Sequence, residues 1–217
     1  MVLIVAIDEA GRGPLIGPMV MAGVLVDEEG SDSLKSLGVK DSKLLSQKKR
    51  VVLFKRITSV AKKYKIIVLS PKEIDDALNS DDLNLNWLEA HTTAKIINSL
   101  KPEKAIIDCP SNNISAYKNY LKNLLDDKNI ELVVEHKADL NYVESAAASI
   151  LAKVTREEEI EKLKKDVGDF GSGYLTDPKT TKFFEENAEK HPDIFRKTWA
   201  PYKKWLHMKK QKNMNDY

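Results

Sequence analysis

The sequence is short of everything that would tie it to an oxidising compartment or to a membrane. Its 217 residues hold one cysteine, Cys109, so an intramolecular disulfide and a cysteine-rich zinc site are both excluded. Apolar runs are brief. MVLIVAI at the start meets Asp8 and Glu9 after seven positions with no basic leader before it, which reads as a strand and not as a signal peptide. No stretch approaches the roughly 20 apolar residues that span a bilayer. An excess of one charge is also missing: 35 Lys and Arg against 33 Asp and Glu leave a formal +2, so bulk charge does not announce a nucleic-acid binder. The four histidines, His91, His136, His191 and His207, fall in no HExxH or HxxxH spacing, and there is no GxxxxGK[ST] loop. Metalloprotease and nucleoside-triphosphatase readings therefore have no motif. What is left is a chain with 42% hydrophobic and 31% charged residues, expected to fold around its own core as a cytoplasmic monomer with no membrane partner.

Residues 2–7 and 19–26 are apolar at successive positions, the pattern of strands covered on both faces, and the turn-rich EAGRGPLIGP joins them. Further strands are predicted over 66–70, 104–108 and 131–135. An amphipathic helix over 46–63 carries apolar positions 51, 53, 54, 57 and 60 and opens at Ser46 as a cap. Helices are also predicted over 84–100 and 113–126. From about residue 140 onward there are helices and loops without a strand. The fold class is α/β, a mixed five-stranded sheet flanked by helices with a C-terminal helical extension. The expected division is a core over 1–160 and a helical region over 161–217 that contributes to substrate binding.

The acids sit where such sheets bind ligands, at strand exits. Asp8 and Glu9 leave the first strand, Asp108 leaves the fourth, and Asp139 follows the fifth. Each aspartate alone is also an ordinary turn or cap residue. Asn141 and Glu144 have capping-box spacing, which leaves Asp139 one residue before the turn, free to face the sheet, and Ser145 to Ser149 are small enough for close helix packing. Together the four carboxylates could hold two Mg²⁺ or Mn²⁺ ions about 4 Å apart, as in metal-assisted phosphodiester hydrolysis. Between Arg196 and Asn215 seven Lys or Arg and no acid are interleaved with Trp199, Tyr202 and Trp205. Two readings stand level: a segment that holds phosphates and stacks on bases, or a solvated helix whose aromatics pack on the body of the protein.

Asp8-Glu9-Ala10-Gly11-Arg12-Gly13-Pro14 resembles the DEAGRG motif of type 2 ribonuclease H, the ribonuclease HII family. VKDSKLLS at 39–46, NLNWLEA at 84–90, IIDCPS at 106–111, KADLNYVESAAASILAKVTRE at 137–157 and GSGYLTDPKT at 171–180 are similar to that family in the same order. The resemblance implies a ribonuclease H-like fold. It also implies endonucleolytic cleavage of RNA paired with DNA, including ribonucleotides embedded in a DNA duplex, with 3′-hydroxyl and 5′-phosphate ends, in replication and repair. It assigns metal binding and catalysis to Asp8, Glu9, Asp108 and Asp139; as a hypothesis of mechanism, Asp8 would bridge both ions, with Glu9 and Asp108 holding one and Asp139 the other. It assigns substrate binding to Gly11, Arg12, Gly13, Lys43 and Tyr174. Glycines permit close approach of the backbone to a sugar-phosphate, and a 2′-hydroxyl is what separates RNA from DNA. Leu175 stands where many relatives have proline. Lys43 reads equally as a surface lysine, and Lys153 and Arg156 either as phosphate contacts or as partners of Glu157 or Glu158. Asp139, typically Glu in type 3 enzymes, and a start directly at the first strand favour type 2 and its archaeal members. The rivals are a hybrid-binding module without cleavage, a DNA-directed nuclease on the same fold, and a small-molecule phosphatase.

Overall fold

The computed structural model describes residues 2–39 and 45–215; Lys43 lies outside them. Five strands form one mixed sheet in the order β3-β2-β1-β4-β5. These are β1 (Ile4–Ala10), β2 (Met19–Val26), β3 (Lys63–Leu69), β4 (Lys104–Asp108) and β5 (Glu131–Glu135). The first three run antiparallel, while β4 pairs parallel with both β1 and β5. The strands fall close to their predicted places, with two shifts. β1 continues three residues past its apolar run, so Asp8 and Glu9 lie inside the strand opposite Ala22 and Met21, not in the turn after it. β3 begins at Lys63 because its first three residues are exposed at the sheet edge, where polar side chains carry no apolar signal.

Helices cover both faces. α1 (Glu28–Ser36), α2 (Gln47–Val60), α3 (Pro71–Leu78), α4 (Leu85–Leu100) and α5 (Ile114–Leu124) occupy the first half. Ser46, Asn84 and Asn113 cap the predicted helices α2, α4 and α5 by accepting from Lys49, Trp87 and Ala116 amides. Val5, Ile7, Ala105 and Ile107 pack with Ile96, Ile97, Tyr117 and Leu121 beneath α4 and α5. On the opposite face Val20, Ala22 and Val24 meet Ala147, Ile150 and Leu151 of α7 (Val143–Val167). The small residues of its first half let this helix lie close on β1 and β2.

The capping box predicted at Asn141 does not form. A short helix, α6 (Ala138–Asn141), precedes α7 instead, entered from Lys137 in the left-handed region at φ 59°. Asn141 donates to the Glu135 carboxylate at 2.6 Å, and α7 starts at Tyr142 with no side-chain cap. Asp139 therefore sits in the first turn of α6, buried.

The C-terminal third contains α8 (Pro178–Asn187) and α9 (Ala200–Asn215). It shares a core with the start of the chain: Leu15 and Ile16 pack with Ile160, Phe170, Phe184, Phe195 and Tyr202. Ile16 and Phe195 even form an isolated bridge. The aromatics of the basic tail belong to this core, with Trp199 and Trp205 partly buried against it, so of the two readings of that segment the packed one holds for them. Arg196 is fully buried and so is no phosphate ligand.

Candidate active site

Parallel pairing of β1 with β4 sets Ile7 opposite Ile107, which brings the next pair of residues, Asp8 and Asp108, to neighbouring positions at one end of the sheet. Strand alternation then decides their faces. Asp8 shares the α7 face with Ala6 and Ala10 and accepts a hydrogen bond from Ser149. Asp108 shares the face of Ile106, which packs on Ala138, so Asp139 approaches from α6 on that same side. Glu9 is turned to the other face, toward Glu89 of α4. Backbone groups complete the frame: the Glu9 amide donates to Asp8 Oδ1 at 2.8 Å, and the Lys137 amide donates to Asp108 Oδ1 at 2.8 Å. The left-handed Lys137 is what aims that amide.

Crowding of like charges shows in the proton affinities. Burial, then the Asp108 and Asp139 charges, push Asp8 up to about 6, against the bond from Ser149. Glu9 is likewise held well above the usual carboxylate range by burial and by Asp8, Glu89 and Asp108, with Arg12 opposing. Among the described residues no three His, Cys, Asp or Glu side chains make a ready-formed metal cage. The donor set still fits a hard divalent cation, because it is all carboxylate oxygen and its members raise one another's cost of ionising, which a cation would relieve.

Beside the acids a cleft of about 300 Å³ is lined by Glu9, the Gly11-Arg12-Gly13 turn, Lys153, Arg156 and Tyr174. Gly11 is at φ +80° and a Cβ there would lie 2.0 Å from Arg156 Nε, whereas one at Gly13 would rest 3.5 Å from Tyr174 Cε1. Tyr174 is 38% exposed and its ring lies under the Arg156 guanidinium at 5.6 Å. Arg156 donates to the Pro18 carbonyl at 3.3 Å and does not pair with its neighbour Glu157, which bonds Arg50 of α2. Its Nη2 is buried without a hydrogen-bond partner, so the phosphate-contact reading keeps its support.

Arg12 is anchored: Nε meets Glu89 Oε1 at 2.7 Å and Nη2 meets Asn86 Oδ1 at 2.8 Å. The segment NLNWLEA thus has a role that no motif spelled out, although a periodic signal existed. Glu89 falls on the buried stripe with Thr93, Ile96 and Leu100, a place where a carboxylate needs a partner. Burial pushes Glu89 up to about 7 despite Arg12. An acid with a raised folded-state value holds its proton more tightly when folded, so stability falls as pH rises from its ordinary 4.5 to about 7 and the cost is complete above that. Glu89→Gln is expected to flatten this dependence and to gain about 2 kcal/mol over the parent at pH 8 and nothing near pH 4.5. Thermal melts across that range check it, and identical curves would show that the burial cost is absent.

Comparison with known proteins bears on these observations. The sequence matches the model of the ribonuclease HII family over residues 5–202. It is 48% identical over 203 residues to the ribonuclease HII of Pyrococcus furiosus, covering 91% of this chain and 88% of that one. The fold is similar to the solved ribonuclease H2 from Pyrococcus horikoshii OT3, with a TM-score of 0.85 and 39% identity over 93% of this chain and 96% of that one. It is also similar to the enzyme in the PCNA:RNase HII complex from Archaeoglobus fulgidus, with a TM-score of 0.82 and 40% identity over 91% and 95% of the two chains.

Proposed function

Since this chain belongs to the ribonuclease HII family, we propose that it hydrolyses the RNA strand of RNA/DNA hybrids and cuts at ribonucleotides embedded in duplex DNA, leaving 3′-hydroxyl and 5′-phosphate ends. The observation that carries this reading is that three buried or half-buried aspartates, Asp8, Asp108 and Asp139, lie close enough for their charges to act on one another, while adjacent Glu9 lines a cleft framed by a glycine turn and an exposed tyrosine. Asp8, Glu9, Asp108 and Asp139 would hold two Mg²⁺ or Mn²⁺ ions, which when bound supply an activated water and charge stabilisation at the leaving oxygen. The chain's own residues orient the strand. Gly11 leaves room for the Arg156 side chain and Gly13 admits a sugar-phosphate close to the backbone, Tyr174 offers a ring to the neighbouring sugar, and Arg156 brings a cation with an unsatisfied donor into the same cleft.

The work assigned to it is removal of single ribonucleotides and of RNA primers during replication and repair, in the cytoplasm, by a single chain. PCNA, which accompanies the Archaeoglobus fulgidus relative, is the protein partner proposed here, and the exposed apolar side chains Leu206 and Met208 of α9 are the surface that it would meet. No helix among the described residues is long and apolar enough to cross a membrane.

The test is cleavage of a DNA duplex carrying one ribonucleotide, beside an all-DNA duplex of the same sequence, with Mg²⁺ or Mn²⁺ and with chelator. Cutting at the ribonucleotide alone, abolished by chelation, is the expected result. Equal cutting of both duplexes would move the assignment to a DNA-directed nuclease. Binding of hybrids without cutting would reduce the protein to a binding module.

A further inference from the structure

By sequence Arg196 opens the basic tail, yet in the fold its side chain is 0% exposed and faces no carboxylate at ion-pair distance among the described residues. Its whole fork is spent on backbone carbonyls. Nη2 donates to Gly11 O at 2.6 Å, Nη1 to Arg12 O at 2.8 Å and Nε to Gly17 O at 3.0 Å. A charge buried this way is expensive, and the three acceptors all belong to the turn between β1 and β2. The guanidinium is itself held in place. It lies 4.9 Å from the Trp199 ring, whose Nε1 donates to Gly13 O at 3.3 Å. The next two residues are fixed by buried Asp75 of α3, which accepts from the Lys197 amide at 2.7 Å and the Thr198 amide at 2.9 Å.

Peptide geometry converts this clamp into a statement about the cleft. In a trans peptide the C=O of one residue and the N–H of the next point in opposite directions. With the Gly11 and Arg12 carbonyls drawn inward to Arg196, the Arg12 and Gly13 amides must face outward, toward the cleft that those residues line with Tyr174. Among the described residues neither amide donates to a backbone carbonyl, so both are available to an acceptor on a ligand.

Resting on the function proposed above, we propose that Arg196 is a specificity-determining positioning residue: it sets the Arg12 and Gly13 amides as the donors that distinguish a ribose from a deoxyribose at the scissile nucleotide. It touches no substrate atom. A planar five-donor fork is required for three diverging carbonyls, so lysine does not replace it.

The experiment compares Arg196→Lys with Phe184→Leu, a control in the same aromatic core, where Phe184 packs on Phe195, Tyr202 and Trp205 and has no polar atom to offer the Gly11 and Arg12 carbonyls. Affinities are measured without turnover, in an Asp108→Asn background, for the single-ribonucleotide duplex and the all-DNA duplex. For Arg196→Lys the preference for the ribonucleotide is expected to fall by about tenfold, the worth of one well-made hydrogen bond, with all-DNA affinity unchanged. Phe184→Leu is expected to melt earlier and keep the parent's preference. An unchanged preference in Arg196→Lys, equal weakening on both duplexes, or the same loss in Phe184→Leu would overturn the positioning role. Amide NMR shifts of Arg12 and Gly13 give a readout free of substrate: they are expected to move in Arg196→Lys, and fixed shifts overturn the proposal independently. A parent protein that shows no ribonucleotide preference, while the amides do move, would instead overturn the functional reading and leave the clamp standing.

Discussion

Asp108→Asn is expected to slow cleavage by orders of magnitude and to leave the metal-free protein at least as stable as the parent. Asp8 is buried and driven up to about 6 in part by the Asp108 charge, so neutralising Asp108 removes a repulsion from the folded state. The asparagine oxygen can go on accepting from the Lys137 amide, so the frame persists. The rate on a single-ribonucleotide duplex should fall on the order of 10³-fold, as charge complementarity at a reacting phosphate is lost. Melts at pH 8 with chelator should show an equal or higher transition for the variant. Adding Mg²⁺ or Mn²⁺ should raise the parent's transition more than the variant's. Near-parental cleavage would remove Asp108 from the site, and a clearly lower metal-free transition would mean that the carboxylates do not repel one another as their placement requires.

The second large effect separates two glycines that the motif treats alike. At Gly11, with φ +80°, a methyl would meet Arg156 Nε at 2.0 Å and the Pro18 carbonyl at 2.8 Å. Gly11→Ala must therefore distort the turn and displace Arg156 from Tyr174, costing about 2 kcal/mol or more together with most activity. At Gly13 the methyl finds only an ordinary 3.5 Å contact with Tyr174. Gly13→Ala is expected to melt with the parent, yet its methyl stands in the cleft between the turn and the tyrosine, so the KM for the ribonucleotide duplex should rise about tenfold or more. Melting curves paired with steady-state kinetics decide it. A Gly13→Ala protein with parental KM would show that substrate does not pass between those two residues.

Much of this site could be read from the residues. Apolar runs that lead into carboxylates point to Asp8, Glu9 and Asp108 because an unpaired charge beside a buried strand is costly, although each aspartate alone is also an ordinary turn residue. The cap signal at Ser46 is short-range, since a cap bonds within three residues of itself; Asn84 and Asn113 cap α4 and α5 in the same way. The failures share the opposite cause. Asn141 had the right local spacing, but the Glu135 carboxylate at the end of β5 took its amide, and the chain made an extra turn. Arg196 was indistinguishable from its solvated neighbours because the carbonyls that bury it lie near residue 11, at the other end of the sequence. Glu89 showed its helical stripe but not its partner, which reaches it from a turn 77 residues away. Which face of β1 each acid takes likewise depends on where α4 and α7 settle, a tertiary outcome that one strand cannot encode.

The clamp on the turn has a consequence for the life of the chain before it is finished. Sheet and flanking helices can assemble from segments emerging in order, since their parts lie within the first 167 residues. The turn at residues 11–17 has its carbonyls bonded by Arg196 and its amides by the Gly173 and Ile194 carbonyls, so its shape waits for residues synthesised long after the sheet. Contacts of such long sequence separation close late, after the entropy of the intervening loop has been met. In a nascent chain the acids thus emerge early, while the turn beside them is fixed only once Arg196 has joined it.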